Sequence, residues 1–93
     1  MSDIRLVKLK SGEEIIGDVT VISNDVIISN PCQLMPTEQG IGFAPWPPFS
    51  KNDNVTVKMD WVICIADPVD AARDAWNQKF GSGIILPNVQ LNG

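Results

Sequence analysis

The chain has 93 residues, of which 44% are hydrophobic and 19% are charged, and its formal net charge is −4. This length leaves room for a single domain, 1–93, and this composition excludes a disordered or membrane-embedded chain. The acidic balance disfavours nucleic-acid binding by bulk electrostatic attraction, because phosphate contacts dominate the affinity of proteins that bind in that way.

Six segments in the first two thirds of the chain have the composition of strands. Apolar residues alternate with polar ones in most of them, and turn-forming residues stand between them. Ser11-Gly12 and Asn24-Asp25 predict tight turns, because glycine and asparagine tolerate the positive φ that such turns need. The segments are 4–10, 14–23, 26–35, 41–46, 55–59 and 62–66, and the last is apolar enough to be a buried strand.

Two residues within these segments predict departures from a regular strand. Pro31 predicts a bulge or an unpaired edge, because proline has no amide hydrogen to donate to a ladder. Gly17 lies among β-branched residues, where glycine is typical of a strand that bends sharply. We therefore predict an all-β fold, in which about five short antiparallel strands over 4–66 form a small, strongly bent barrel.

A helix is predicted after the strands, over 68–80. Asp67 is the expected N-cap and Pro68 the first helical residue, a position that proline favours. Trp76 belongs to an apolar set at helical spacing, which predicts a face packed on the core. An extended tail, 81–93, completes the chain.

Catalysis and metal binding have little support in this composition. The chain has no histidine, and Cys32 and Cys64 have no CxxC spacing, so zinc sites of cysteine and histidine are excluded within one subunit. Both cysteines have apolar neighbours and are predicted to be buried and reduced. Asp67, Asp70 and Asp74 fit stabilisation of a helix N-terminus better than a cation site. With no P-loop or GxSxG motif, we predict no enzyme, no cofactor and no small-molecule substrate.

Two segments resemble the motifs of the Sm/LSm family. Segment 7–19, VKLKSGEEIIGDV, is similar to the first motif, in which a hairpin glycine (Gly12) precedes a bending glycine (Gly17). Segment 57–65, VKMDWVICI, is similar to the second motif, with Lys58 where the family has arginine. The phrases PWPPFS and GSGIILP look most similar to small Sm-like proteins of marine phages, including cyanophages.

The resemblance implies a homo-oligomeric ring of five to seven subunits, closed by strand pairing between neighbours. The last strand is apolar on both faces and carries no charge or proline, so an uncovered edge there would promote aggregation. Trp46 and Phe49 either fold onto the domain's own core or pack on a neighbouring subunit, and both interpretations stay open. The candidate interface residues are Val57, Trp61, Val62, Ile63, Ile65, Trp46 and Phe49.

The resemblance also implies an RNA pocket, from which the chain departs. The positions of the family's uracil-binding residues fall at Ser23, Val26 and Ile27, so the base-reading asparagine is absent unless the alignment shifts by one or two residues. The candidate RNA-binding residues are Lys58, Asp60, Asn24 and Asn30.

Two functions follow from the resemblance and its departures. The first is a ring that binds RNA or single-stranded nucleic acid weakly in a modified pocket. The second is an oligomeric scaffold of phage origin that has lost RNA binding and acts through protein contacts. The longest apolar run, 61–66, is too short to span a membrane and no signal-peptide pattern is present. A cytoplasmic protein, in the host cell if phage-encoded, is therefore expected.

Overall fold

A computed structural model describes residues 3–81. The tail, which was predicted to be extended, lies outside the described residues from position 82 on. The elements in chain order are β1 (Ile4–Leu9), β2 (Glu14–Ile22), β3 (Asp25–Thr37), β4 (Gly40–Pro45), β5 (Asn54–Lys58), a 3₁₀ turn (Met59–Trp61), β6 (Val62–Ala66) and α1 (Asp70–Phe80).

The six strands form one antiparallel sheet in the order β4-β3-β2-β1-β6, and β5 also pairs with β3. The first part of β3, from Asp25 to Ser29, pairs with β5, whereas its second part, from Cys32 to Thr37, pairs with β4. The sheet is bent but not closed, and the predicted fold class is confirmed. Residues 3–81 contain six strands instead of about five, because two separate strands share one side of the long β3.

The bend lies where β2 and β3 change register. Ile16 is opposite Cys32 and Asp18 is opposite Ser29, so β3 contains one extra residue at this point. Pro31 lies in this bulge, as its missing amide hydrogen predicted. A Cβ atom on Gly17 would come within 2.5 Å of the Ile28 Cγ2 atom and 2.8 Å of the Ser29 carbonyl oxygen. The two strands thus approach too closely for any other residue to fit at position 17 without a shift.

Two apolar clusters pack on opposite faces of the sheet, because neighbouring residues of a strand point to opposite sides. The inner cluster contains Val7, Leu9, Ile15, Val19, Val26 and Ile28. The outer cluster contains Ile4, Ile16 and Cys32 together with Ala72 and Trp76 of α1. The Trp76 indole N–H also donates a hydrogen bond to the Asn30 carbonyl, 3.1 Å away, so the helix is fixed beside the bulge.

The start of α1 differs from the prediction. The N-cap is Val69, whose carbonyl oxygen accepts hydrogen bonds from the Ala72 and Arg73 amides, and no side chain caps the helix. Asp67 instead forms an ion pair with the Arg5 guanidinium, 2.9 Å away, which keeps its carboxylate away from the helix. The prediction of Asp67 as N-cap is therefore wrong, whereas Trp76 is buried as predicted.

The two cysteines differ in burial. Cys32 is buried between the sheet and α1, and loss of solvation raises the pKa of its thiol. Cys64 is exposed, so the predictions that it is buried and that 62–66 forms a buried strand are wrong for the single chain. The reason is that α1 packs on β1, β2 and β3 and leaves the outer side of β6 uncovered.

We expect Cys32 to be protected from thiol reagents in the native protein. In the Cys64→Ser variant, the remaining thiol should react at least about tenfold more slowly with a chromogenic disulfide at mildly alkaline pH than it does in urea, because a buried, protonated thiol is a poor nucleophile. The Cys32→Ser variant serves as the matched comparison. Rapid reaction of native Cys64→Ser protein would contradict the placement of Cys32 beneath α1.

Candidate nucleic-acid pocket and subunit interface

The turn between β2 and β3 meets the 3₁₀ turn between β5 and β6. Ser23 has a φ of 57°, which turns the chain so that the Asn24 carbonyl accepts a hydrogen bond from the Met59 amide at 2.8 Å. The two turns together line one surface pocket, formed by Asn24, Lys58, Met59 and Asp60. Three of the four predicted RNA-binding residues are thus brought together.

Asn30 is separated from these three residues. It lies five positions further along β3 than Asp25, the strand partner of Lys58, which is about 16 Å at the usual rise of a strand. The backbone N–H of Asn30 donates a hydrogen bond to the backbone carbonyl of Asp53 at 2.6 Å. The backbone carbonyl of Asn30 accepts the hydrogen bond from the Trp76 indole. Asn30 therefore holds the bulge and the helix, and Asn24 is the asparagine of the pocket.

Lys58 is not a free cation in this pocket. Its ammonium group donates a hydrogen bond to Asp25 Oδ1 at 2.8 Å, although the lysine side chain is 72% exposed. This hydrogen bond and the charge of Asp25 raise the pKa of Lys58 above its ordinary value, and the more distant charge of Asp60 acts in the same direction. The ammonium group of Lys58 and the carboxylates of Asp60 and of the adjoining Asp25 give the pocket and its rim a local charge of −1.

Asp25, which lies beside the pocket, is a partner of Lys58 that the sequence analysis missed. The two residues are 33 positions apart, and they meet because they are paired in the register of β3 with β5. The sequence contains an acid at this turn and a lysine at the end of a strand. Their proximity depends on the register of β3 with β5, which the sequence pattern does not show.

Two strands that flank the pocket have unpaired edges. Within residues 3–81, β5 pairs only with β3, and β6 pairs only with β1. The 3₁₀ turn of Met59–Trp61 connects the two strands without pairing them to each other. Each strand therefore presents backbone N–H and C=O groups along one side, which is a template for pairing with another chain.

The predicted interface residues divide into an exposed group and a core-facing group. Ile63 is 59% exposed, Trp61 is 49% exposed and Phe49 is fully exposed. The other four pack, partly buried, against the inner cluster, and these are Trp46, Val57, Val62 and Ile65. Of the two aromatic residues in the proline-rich loop, Trp46 folds onto the core of its own chain and Phe49 does not.

Two further features of the described residues concern metal ligands and membrane-spanning helices. Within 3–81, no group of three or more potential His, Cys, Asp or Glu ligands is close enough to hold a metal ion. The helix in this part of the chain lacks the length and apolar character needed to cross a membrane.

A bent antiparallel sheet followed by one helix is consistent with the Sm-like class of β proteins. The family model of the Sm-like domain matches residues 6–75, and the chain belongs to this family. The resemblance found in the two sequence motifs is confirmed. No individual curated protein matches the sequence. Sm-like domains typically form oligomeric rings, often bind RNA and generally are not enzymes.

Proposed function

We propose that the chain assembles into a closed ring of five to seven copies and weakly binds single-stranded RNA at the pocket of Asn24, Lys58 and Asp60. The observation that carries the proposal is the pair of unpaired edges on β5 and β6, on either side of one short turn. The ring assembles when β6 of one subunit pairs with β5 of the next.

The two edges belong to different strands, so the contact is heterologous. A head-to-tail contact of this kind repeats from copy to copy and closes when the rotation between subunits divides a full turn. Ile63 and Trp61 supply exposed apolar surface at this edge, which the contact would remove from water. The family favours this arrangement, because Sm-like domains typically form rings.

RNA binding in the pocket would depend more on bases than on phosphates. The Asn24 side chain offers both a donor and an acceptor, and the Asp60 carboxylate accepts hydrogen bonds from base amino groups. Lys58 is already paired with Asp25, so its attraction for phosphate is reduced and weak binding is expected.

The local charge of −1 supports a second candidate function. A ring would repeat this acidic pocket around its axis and would repel the phosphate backbone at each copy. In that case the ring is a scaffold that binds proteins, as expected for an assembly of phage origin that has lost RNA binding. Both functions place the ring in the cytoplasm, which is the host cytoplasm for a phage protein, and neither involves a membrane.

We predict that Lys58→Glu abolishes RNA binding and leaves the ring intact. The substitution replaces the ammonium group of the pocket with a carboxylate, next to those of Asp60 and the adjoining Asp25, so affinity should fall at least about tenfold. Fluorescence anisotropy with U-rich, A-rich and random single strands, at low and moderate salt, measures the change. Asp25→Asn is the reciprocal variant, and it should tighten binding because it frees Lys58.

Lys51→Glu is the matched control, because it makes the same charge change in the exposed loop between β4 and β5, outside the pocket. It should lower affinity much less than Lys58→Glu. Unchanged affinity in Lys58→Glu would place binding elsewhere. If the parent protein binds none of the three strands at low salt, the scaffold function replaces the RNA function.

A further inference from the structure

An apolar groove lies on the outer face of the sheet, beside the first turn of α1. Its cavity volume is about 440 Å³. Val69 and Ala72 form the helix side, whereas the strands contribute Leu6, Leu34, Met35, Pro36 and Ile41. Its two carboxylates, Glu14 and Asp67, are engaged by Lys8 and Arg5 respectively.

The groove contains apolar side chains that the described residues leave uncovered. Val69 is 66% exposed, Ile41 is 44% exposed and Met35 is 39% exposed. They face one hollow from both the helix and the sheet. A continuous apolar surface of this kind is typical of a site that another segment or chain covers.

The C-terminal end of α1 lies beside the last residue of β4, and the beginning of β4 lies in the groove. Lys79 and Phe80, at the end of the helix, line a second hollow together with Pro45, the last residue of β4. Ile41, near the beginning of β4, lies in the groove. A segment that runs antiparallel to β4, from Pro45 towards Ile41, covers about 13 Å before it reaches the groove.

The remaining residues, 82–93, have the length and composition to fill it. Their sequence, SGIILPNVQLNG, contains five large aliphatic residues and no charged residue. At about 3.4 Å per extended residue, positions 84–86 come to about 10–17 Å beyond Gly81, which matches the distance to the groove. The outer edge of β4 is also unpaired among the described residues, so it can accept backbone hydrogen bonds from a passing segment.

We propose that the groove is the docking site of the chain's own C-terminal segment, which runs antiparallel to β4 and buries residues 84–86 against Ile41, Met35 and Val69. The unpaired edge of β6 is a less accessible alternative for this segment. It lies four strands from β4 in the sheet order, which is about 19 Å along the sheet at the usual strand spacing. The C-terminal segment therefore covers the groove, and the β6 edge stays open for a second copy.

Disulfide trapping in the full-length chain tests the proposal. In a Cys64→Ser background, which retains the buried Cys32, the variant Ile41→Cys/Ile85→Cys is exposed to oxidised glutathione. Docking holds the two thiols together, so we expect an intrachain disulfide to form at least about tenfold faster than in a control pair. Non-reducing electrophoresis and intact mass measure the rate, and gel filtration before oxidation shows that the variant is folded.

The control pair is Asp74→Cys/Ile85→Cys. Asp74 is exposed on α1, seven residues before Gly81 and thus about 10 Å from it along the helix, so an undocked segment reaches it at least as easily as it reaches Ile41. Met35→Cys/Ile85→Cys is a second groove pair, for use if Ile41→Cys does not fold. Equal rates in groove and control pairs would overturn the proposal. An interchain disulfide, or faster trapping with Ile63→Cys on β6, would also overturn it.

Discussion

Gly17→Val should destabilise the fold by about 3 kcal/mol, because β2 and β3 leave no space for a side chain where they bend. The new Cβ atom would lie 2.5 Å from the Ile28 Cγ2 atom and 2.8 Å from the backbone oxygen of Ser29. Both contacts are far below ordinary van der Waals distance, and a backbone oxygen cannot rotate away as a flexible side chain can. Relief requires the two strands to separate, which opens the inner cluster beneath Ile28. Urea unfolding followed by circular dichroism measures the loss.

The matched control is Thr20→Val, which places the same side chain on the same strand. Thr20 is exposed, and its register partner is Ile27 in a regular part of the ladder, so its free energy of unfolding should change by less than about 0.5 kcal/mol. A Gly17→Val protein as stable as the parent would show that the strands do not approach each other in this way. The bent-sheet interpretation of this glycine would then fail.

The sequence was sufficient to predict features that depend on local chemistry. The turn at Gly12 follows from the positive φ that glycine tolerates, and the observed φ is 110°. Pro31 predicted an interrupted ladder for an equally local reason, since it lacks an amide hydrogen. The strand segments follow from alternation, which depends only on neighbouring residues.

Features that depend on distant partners could not be predicted. Asp67 has the side chain of an N-cap, but Arg5, more than 60 residues earlier in the chain, binds it instead. The pairing of Lys58 with Asp25 depends on the register of two strands, and a slip by one residue would break it. Cys64 was predicted to be buried because its neighbours are apolar, but the sequence does not show how far α1 extends over the sheet.

The apolar residues of β6 were first explained by burial in the core, but β6 lies at an edge of the sheet and needs a different explanation. Ile63 and Cys64 are exposed, although their strand carries no charged residue. Edge strands that remain in solvent are normally protected by charge, proline or a bulge. β6 has one extra residue, Ile63, where its register with β1 shifts, but it carries no charge and no proline. A strand with so little protection that faces water in a single chain is suited to a subunit contact. The proposed ring thus explains both the sequence of β6 and its exposure.

Ile63→Lys is expected to convert the ring into monomers, with a mass near that of the 10.2 kDa chain. Ile63 is 59% exposed on the edge that we propose to pair with β5 of the next subunit. An ammonium group at that position has no acid partner on β6, and its burial in an apolar contact costs several kcal/mol at every interface of the ring. Light scattering after size exclusion, at micromolar concentration, should give five to seven times the chain mass for the parent and one chain mass for the variant.

Val21→Lys provides the control that separates an edge effect from a general effect of charge. Val21 is 47% exposed and apolar, but it lies on β2, two strands away from β6 in the sheet, and its strand partner is Val26 of β3. Because Val21 lies on neither of the two strand edges that we propose to form the contact, the ring mass should persist in this variant. A parent mass near 10.2 kDa would refute the ring altogether, and a ring mass in Ile63→Lys would move the contact to another surface. Loss of the ring in Ile63→Lys alone assigns the contact to β6, because the two variants add the same charge to equally apolar, exposed positions.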